Sequence, residues 1–243
     1  SYFNGVPWTE KVNWIQADLT SINDIKKIFG SNQVFDLVII AAASTSGILD
    51  TFARPDFHVT DNVVMNSLLL REINKSQVKH VIFFSCTTML QSSDIPQNEE
   101  DFDANIGPIE KYFGVGWTKV YIEKLCKFYS IIGKTKFTVI RHSNIYGPWD
   151  RFLPHNSHVC GGTITKVIQA SEKVEIWGSG QEKRDLLFID DLVEFVVLAH
   201  QNPPEKYDLV NIGFGKSISV RDLTQKIVDL SGKSLEITFN RSK

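Results

Sequence analysis

Short apolar runs of strand length alternate along this chain with stretches whose apolar residues recur every three or four positions. These two periods mark strands and amphipathic helices. WIQAD, Trp14 to Asp18, predicts a short strand. Ser21 to Phe29 predicts a helix, opened by the Ser-x-x-Asp pair Ser21 and Asp24 and stopped at Gly30. The continuous apolar run Phe35 to Ala43 predicts a strand buried on both faces of a parallel sheet. Asp61 to Asn74 reads as a helix with Val64, Leu68 and Ile73 near one face, and His80 to Ser85 as a second fully buried strand. Trp117 to Ser130 is a long helix, and Phe137 to Pro148 a strand running into a turn. Leu186 to Gln201 gives a strand and then a helix, with Asp190 and Asp191 as its N-cap and first turn.

This alternation specifies an α/β chain with right-handed crossovers and a doubly wound parallel sheet. Ligands of such sheets sit at the carboxyl ends of the strands, here Ala41 to Gly47, Ser85 to Thr88 and Ser143 to Pro148. One expected part has no counterpart. A dinucleotide domain opens with a strand, a glycine-rich turn and a helix, because only Gly lets the backbone approach a pyrophosphate closely. No GxGxxG or GxxGxxG occurs, and Gly161-Gly162 and Gly178-x-Gly180 lie late and follow no strand. A first βαβ unit of ~30 residues or more ahead of Ser1 would supply it; a domain that never bound a dinucleotide is the other reading.

Composition narrows the class. The chain is 42% hydrophobic and 22% charged, a mix suited to a sizeable core. A net charge of -2 and a pI of about 6.3 give no electrostatic case for nucleic acid or anionic membrane. No apolar run approaches the ~20 residues of a membrane span, and SYFNGVPWTEK lacks the build of a signal peptide. Cys86, Cys126 and Cys160 are odd in number and widely spaced, which points to reduced thiols in a cytoplasmic compartment and to no metal site.

Several strings, in order, carry a resemblance: DLVIIAAASTSGI (Asp36 to Ile48), VKHVIFFSCTT (Val78 to Thr88), SNIYGPWDRFLPHNSHV (Ser143 to Val159) and EIWGSGQEKRDLLFIDDL (Glu175 to Leu192). From Trp14 to Lys243 the chain resembles the NAD-dependent epimerase/dehydratase family of extended short-chain dehydrogenases, nearest its GDP-L-fucose synthase group. The resemblance implies a Rossmann-like NAD(P)-binding domain over 1–147, joined by about 186–213. A smaller α/β substrate domain would be built from 148–185 and 214–243, with part of it lying beyond Lys243. It also implies NADP or NAD as cofactor, a nucleotide-sugar substrate and a homodimer formed through the helices of the Lys119 and Asn62 regions. The implied reaction is 3,5-epimerisation and 4-reduction of GDP-4-keto-6-deoxymannose. A different 4-epimerase or reductase of nucleotide sugars, and a catalytically impaired sugar-nucleotide-binding paralogue, are the alternatives.

Residue by residue, Lys119 matches the Lys of the family's YxxxK motif, but Val115 stands where its Tyr would be. Valine has no proton to give; Tyr112 and Tyr121 do not have the helical spacing to replace it. Cys86 falls at the catalytic Ser/Thr position, with Thr87 beside it and Thr88 where the group has its epimerisation Cys. His158 matches the acid/base His. Asp18, Ala41, Ala42, Ala43, Asn62, Ser85, Cys86, Lys119, His142, Ser143, Asn144, Ile145 and His158 are implied around the cofactor. Lys166, Trp177 and Arg184 are implied around the base and diphosphate of the substrate, Arg as a fork and Lys as a point charge.

Overall fold

The computed structural model describes residues 12–30, 33–44, 55–152 and 157–241. Its helices are α1 (Ile22–Ile28), α2 (Pro55–Lys75), α3 (Phe113–Ile132), α4 (Val159–Gln169), α5 (Ile189–Gln201) and α6 (Val220–Ser231). Its strands are β1 (Val34–Ile40), β2 (Gln77–Cys86), β3 (Lys136–His142), β4 (Asn144–Tyr146), β5 (Lys173–Trp177), β6 (Lys183–Phe188), β7 (Tyr207–Ile212), β8 (Ser217–Ser219) and β9 (Glu236–Asn240). The main sheet has the order β1-β2-β3-β7 with every pair parallel.

Alternation of side chains along each strand divides the core in two. Val81, Phe83, Phe137 and Val139 point to one face and pack under Met65, Leu69, Leu70 and Ile73 of α2 and Ile122 and Cys126 of α3. Ile82 and Ile140 point to the other, under Leu192, Phe195 and Val196 of α5. Burying each such side chain contributes ~1.5–3 kcal/mol, so both faces of β2 and β3 are anchored. A third cluster, Val167, Val174 and Val228, joins α4 and α6 to the parallel pair β5–β9. In the small sheet β4-β6-β8, β6 touches α5 and β8 touches α6.

Five expectations are corrected. Gly178-x-Gly180 does follow a strand, because β5 ends at Trp177. Trp14–Asp18 forms no strand, and Trp14 and Ile15 are exposed; an extended run becomes a strand only beside a ladder partner, and none stands next to it among the described residues. β1 is not buried on both faces. Among the described residues it pairs with β2 alone, and Val34 and Ile39 remain 52% and 46% exposed. On α2 the inward stripe is Asn62, Met65, Asn66, Leu69 and Ile73, while Val64 faces out. Asp190 is not a cap either: Phe188 holds the N-cap position of α5, and Asp190 and Asp191 both lie in the first turn, where their charge complements the helix dipole.

α1 starts as its sequence requires, with the Ser21 side chain accepting from the Asp24 amide. α3 carries a glycine, Gly116, at a place where helix propensity disfavours it. A Cβ there would come within 2.6 Å of two Pro108 side-chain carbons, so the residue permits the loop before α3 to lie against the helix. Gly116→Ala should therefore destabilise the protein by ~1–3 kcal/mol, despite the better helix former; urea denaturation checks it.

Candidate active site

The carboxyl ends of β2 and β3 lie side by side, with Cys86 opposite His142 in the register. Over them runs α3, whose helical turn places Val115 and Lys119 on one face. The Lys119 ammonium donates to the Phe84 carbonyl at 2.9 Å and sits 5.1 Å from the Phe83 ring centre. Tyr112 is the residue before α3, and Tyr121 is 45% exposed with its hydroxyl 3.3 Å from that of Ser67 on α2. Neither phenol takes the place one turn before Lys119, so Val115 is the side chain there.

Cys86 Sγ lies 2.8 Å from the Thr88 hydroxyl, and the Thr87 carbonyl accepts the Leu90 amide in the turn that follows β2. The other two thiols are spectators. Burial pushes both the Cys126 and Cys160 thiols up, which keeps them protonated and unreactive. All three cysteines are free.

His142 closes the cluster. Its Nδ1 is 2.7 Å from the Ser143 carbonyl, and its ring meets the Phe84 ring edge-on at 6.2 Å. Burial is the largest cause holding the His142 imidazole below its ordinary pKa; the charges of Lys119 and His158 add to it, and the Ser143 carbonyl opposes it. His158 is the exposed N-cap residue of α4. Lys119, His142 and His158 therefore share one electrostatic neighbourhood.

Asp18 meets Ala42 and Ala43 in a groove of about 400 Å³, also lined by Ser44, Asp61 and Met65. The Thr20 hydroxyl and then the Thr20 amide donate to Asp18 Oδ1 at 2.7 and 2.8 Å and hold its carboxyl below the usual range. Ala41 leads from β1 into this groove and is exposed. Asn62 braces the same wall: it accepts from the Ser44 amide at 3.0 Å and donates to the Ser44 and His58 carbonyls. The residues beyond Ser44 in the sequence-predicted turn, Thr45 to Gly47, lie outside the described residues.

Three implied cofactor contacts use their side chains otherwise. Ser85 is fully buried and donates to Glu123 Oε1 at 2.6 Å. The Ser143 hydroxyl donates to Asp185 Oδ1 at 2.7 Å. Ile145 packs into the α5 core cluster. Asn144 is exposed, with its amide donating to the Asp185 carbonyl at 3.1 Å. On the small-lobe side, the Lys166 ammonium lies 4.5 Å from the Trp177 ring centre and donates to the Glu175 carbonyl at 3.0 Å. Arg184 is on β6, donating from Nη1 to the Lys183 carbonyl at 2.7 Å.

Two groups that organise the site are not singled out by the sequence. Asp185 takes Ser143 and the Phe214 amide on Oδ1 and the Gly215 amide on Oδ2, at 2.7–2.8 Å. Glu123 and Arg141 form a buried fork 2.7 Å apart, tied to Ser85 and to the Glu99 carbonyl. The only available signal was positional: an acid one turn beyond Lys119, and an Arg inside an otherwise apolar strand.

For a dinucleotide, the described residues fit at the two ends of the site. The Asp18 carboxylate can accept from a base amine, and the small Ala42 and Ala43 leave room for a ring. Lys119 and His142 stand at the carboxyl ends of β2 and β3, the end of such a sheet at which ligands bind. Among the described residues no His/Cys/Asp/Glu cluster could hold a metal ion, and no helix is long and apolar enough to cross a membrane.

A family model described as the NAD dependent epimerase/dehydratase family matches residues 3–213. The chain is 29% identical over 236 residues to the GDP-L-fucose synthase of Sinorhizobium fredii, covering 94% of this chain and 73% of that protein. It is 25% identical over 242 residues to the GDP-L-fucose synthase of Escherichia coli K12, covering 94% and 74%. The fold superposes on a GDP-mannoheptose C4 reductase of Campylobacter jejuni, solved with NADP bound, with a TM-score of 0.79 at 21% identity over 93% of this chain and 76% of that one.

Proposed function

Because the chain belongs to the NAD-dependent epimerase/dehydratase family, we propose that it is a nucleotide-sugar epimerase/reductase of the GDP-L-fucose synthase kind, working with NADP or NAD on GDP-4-keto-6-deoxymannose. The observation that carries the reading is the convergence of Lys119, Cys86, Thr88 and His142 at the carboxyl ends of β2 and β3. A bound nicotinamide supplies the hydride that reduces a ketone. The chain's own residues must bind the sugar nucleotide, hold the ketone and move protons. Lys119 places a positive charge where negative charge develops on the ketone oxygen, the arrangement that stabilises an enolate or alkoxide. Cys86 and Thr88 offer a thiol and a hydroxyl within reach of each other, and His158 is exposed to the cleft from the head of α4. Lys166 and Trp177 present a cation and an aromatic face, suited to a diphosphate and a base. The Asp18–Ala43 groove is assigned to the adenine end of the cofactor.

Thr88 favours a second reading within the same class. Epimerisation needs a base to remove the proton α to the ketone, and a threonine hydroxyl is a poor one. A reductase that does not epimerise needs only the acid. The exposed apolar stripe of α3, Tyr121, Phe128 and Ile131, supports a homodimer, and the composition supports a cytoplasmic enzyme.

The test is incubation of the full-length protein with GDP-4-keto-6-deoxymannose and NADPH in deuterated water. Cofactor oxidation with deuterium at C3 and C5 of the product is the expected result. Oxidation without deuterium selects the second reading. Nucleotide-sugar binding without either event makes the protein an impaired binding paralogue, and no binding at all overturns the assignment.

A further inference from the structure

We propose that His142 is the proton donor for ketone reduction, filling the chemical place left by the phenol absent at position 115; this rests on the reductase reading above. Val115 has the helical position next to Lys119 but no proton, so the acid must come from another element. His142 ends β3 directly across the ladder from Cys86, within electrostatic reach of Lys119 and His158. Its orientation fixes its tautomer. The Ser143 carbonyl at 2.7 Å can only accept, so Nδ1 carries the hydrogen of that bond. Nε2 is then the nitrogen that gains and loses a proton. It has no protein partner among the described residues and is not sealed from solvent.

The groups facing the ring come from three elements: Cys86 on β2, Lys119 on α3 and His158 at the head of α4. Burial and the two nearby positive charges make the imidazolium a stronger acid than a free one, while the Ser143 carbonyl keeps the cation from being abolished. In the step itself, a bound reduced nicotinamide dinucleotide would supply the hydride that the ketone carbon takes up. The carbonyl π pair moves to oxygen, which takes the proton from Nε2 as the N–H bond breaks. The products are the alcohol, the oxidised dinucleotide and a neutral imidazole, which regains its proton from water. Lys119 stabilises the same oxygen by charge.

The sign of the pH effect follows. The acid form of His142 is required, and its pKa lies below the ordinary value, so turnover should fall as pH rises through that pKa. A tyrosine stays protonated to higher pH, so installing one at position 115 should move the fall to the alkaline side.

The experiment uses the full-length protein and begins with imidazole NMR, which needs no turnover. The His142 pKa should rise in Lys119→Met, because a positive neighbour is lost. Adding GDP-4-keto-6-deoxymannose alone should shift the Nε2 resonance. In the NADPH-coupled assay, His142→Asn and His142→Gln should lose about 10²–10⁴-fold in kcat with nucleotide-sugar Kd unchanged. His142→Asn with Val115→Tyr should recover turnover with the alkaline profile. Wild-type kcat in both single variants, or a pH limb that ignores the NMR pKa, overturns the role of His142. A shifted sugar-nucleotide Kd in either variant would make it a binding residue instead. If the wild type binds no nucleotide sugar, the functional reading is what falls; if it binds and Nε2 does not respond, His142 falls alone.

Discussion

Arg141→Met should cost the fold about 3–5 kcal/mol, the penalty for leaving a buried carboxylate without its partner. The pair is almost sealed, with 4% of the Arg141 side chain and 3% of the Glu123 side chain exposed. Arg141 meets Glu123 through Nε and Nη2, at 3.0 and 2.7 Å, and donates from Nη1 to the Glu99 carbonyl at 2.9 Å. The same carboxylate accepts from Ser85, and Glu99 in turn accepts the Asn211 amide of β7. Removing the guanidinium thus unties β2, β3, β7 and α3 at once. For a chain of this size each kcal/mol moves Tm by roughly 2–4 °C, so thermal denaturation should show a drop of about 6–20 °C. The companion Arg141→Met with Glu123→Leu should recover most of the loss, because two apolar side chains leave no charge behind. A double variant as unstable as the single one would mean that packing volume, not the orphaned charge, sets the cost. Lys119 sits one helical turn from Glu123, so the single variant should also lose activity before it unfolds.

Asp185→Ala should have the second-largest effect, about 2–4 kcal/mol, with a local signature. Three donors lose a charged acceptor, and such bonds are each worth ~1.5–3 kcal/mol. Phe214 and Gly215 are exposed and can be rehydrated, which returns part of the cost. Gly213 packs so closely that a Cβ there would come within 2.9 Å of Asp185 Oδ1, so the 213–215 turn is shaped around the carboxylate. Hydrogen exchange should speed up at Phe214 and Gly215 while α2 and α3 keep their protection. Asp185→Asn should lie between, since an amide keeps one acceptor and gives up the other. Uniformly faster exchange would instead make Asp185 a determinant of global stability.

The alternation of strands and helices was legible because it is local: period, cap and stop are all read within one segment. Ser21 and Asp24 start α1 as their spacing requires. The errors fall where the deciding contact is far along the chain. Trp14–Asp18 has strand composition but no ladder neighbour among the described residues, and β1 has the composition of an interior strand but leaves Val34 and Ile39 exposed. The site divides the same way. The Val115–Lys119 relation follows from helical spacing alone. The commitments of Ser85 to Glu123 and of Ser143 to Asp185 join residues 38 and 42 positions apart, and no local pattern encodes them. Resemblance placed His142 at the cofactor; only the geometry, with a partnered Nδ1 and an open Nε2, gives it chemistry of its own.

The pairing of β3 with β7 has a consequence for how the chain is made. Phe137 waits for Tyr207, and everything from β4 to α5 is synthesised in between. At about 5–20 residues per second on the ribosome, the interval is roughly 4–14 s. During it β3 presents a bare apolar edge to the cell, and the fork at Arg141 is closed only from the β2 side. A synonymous change that slows elongation within this stretch would lengthen the exposure without altering one atom of the product. The yield of folded protein should therefore depend on translation speed there, and on chaperones that shield strand edges, more than on the final stability of the sheet.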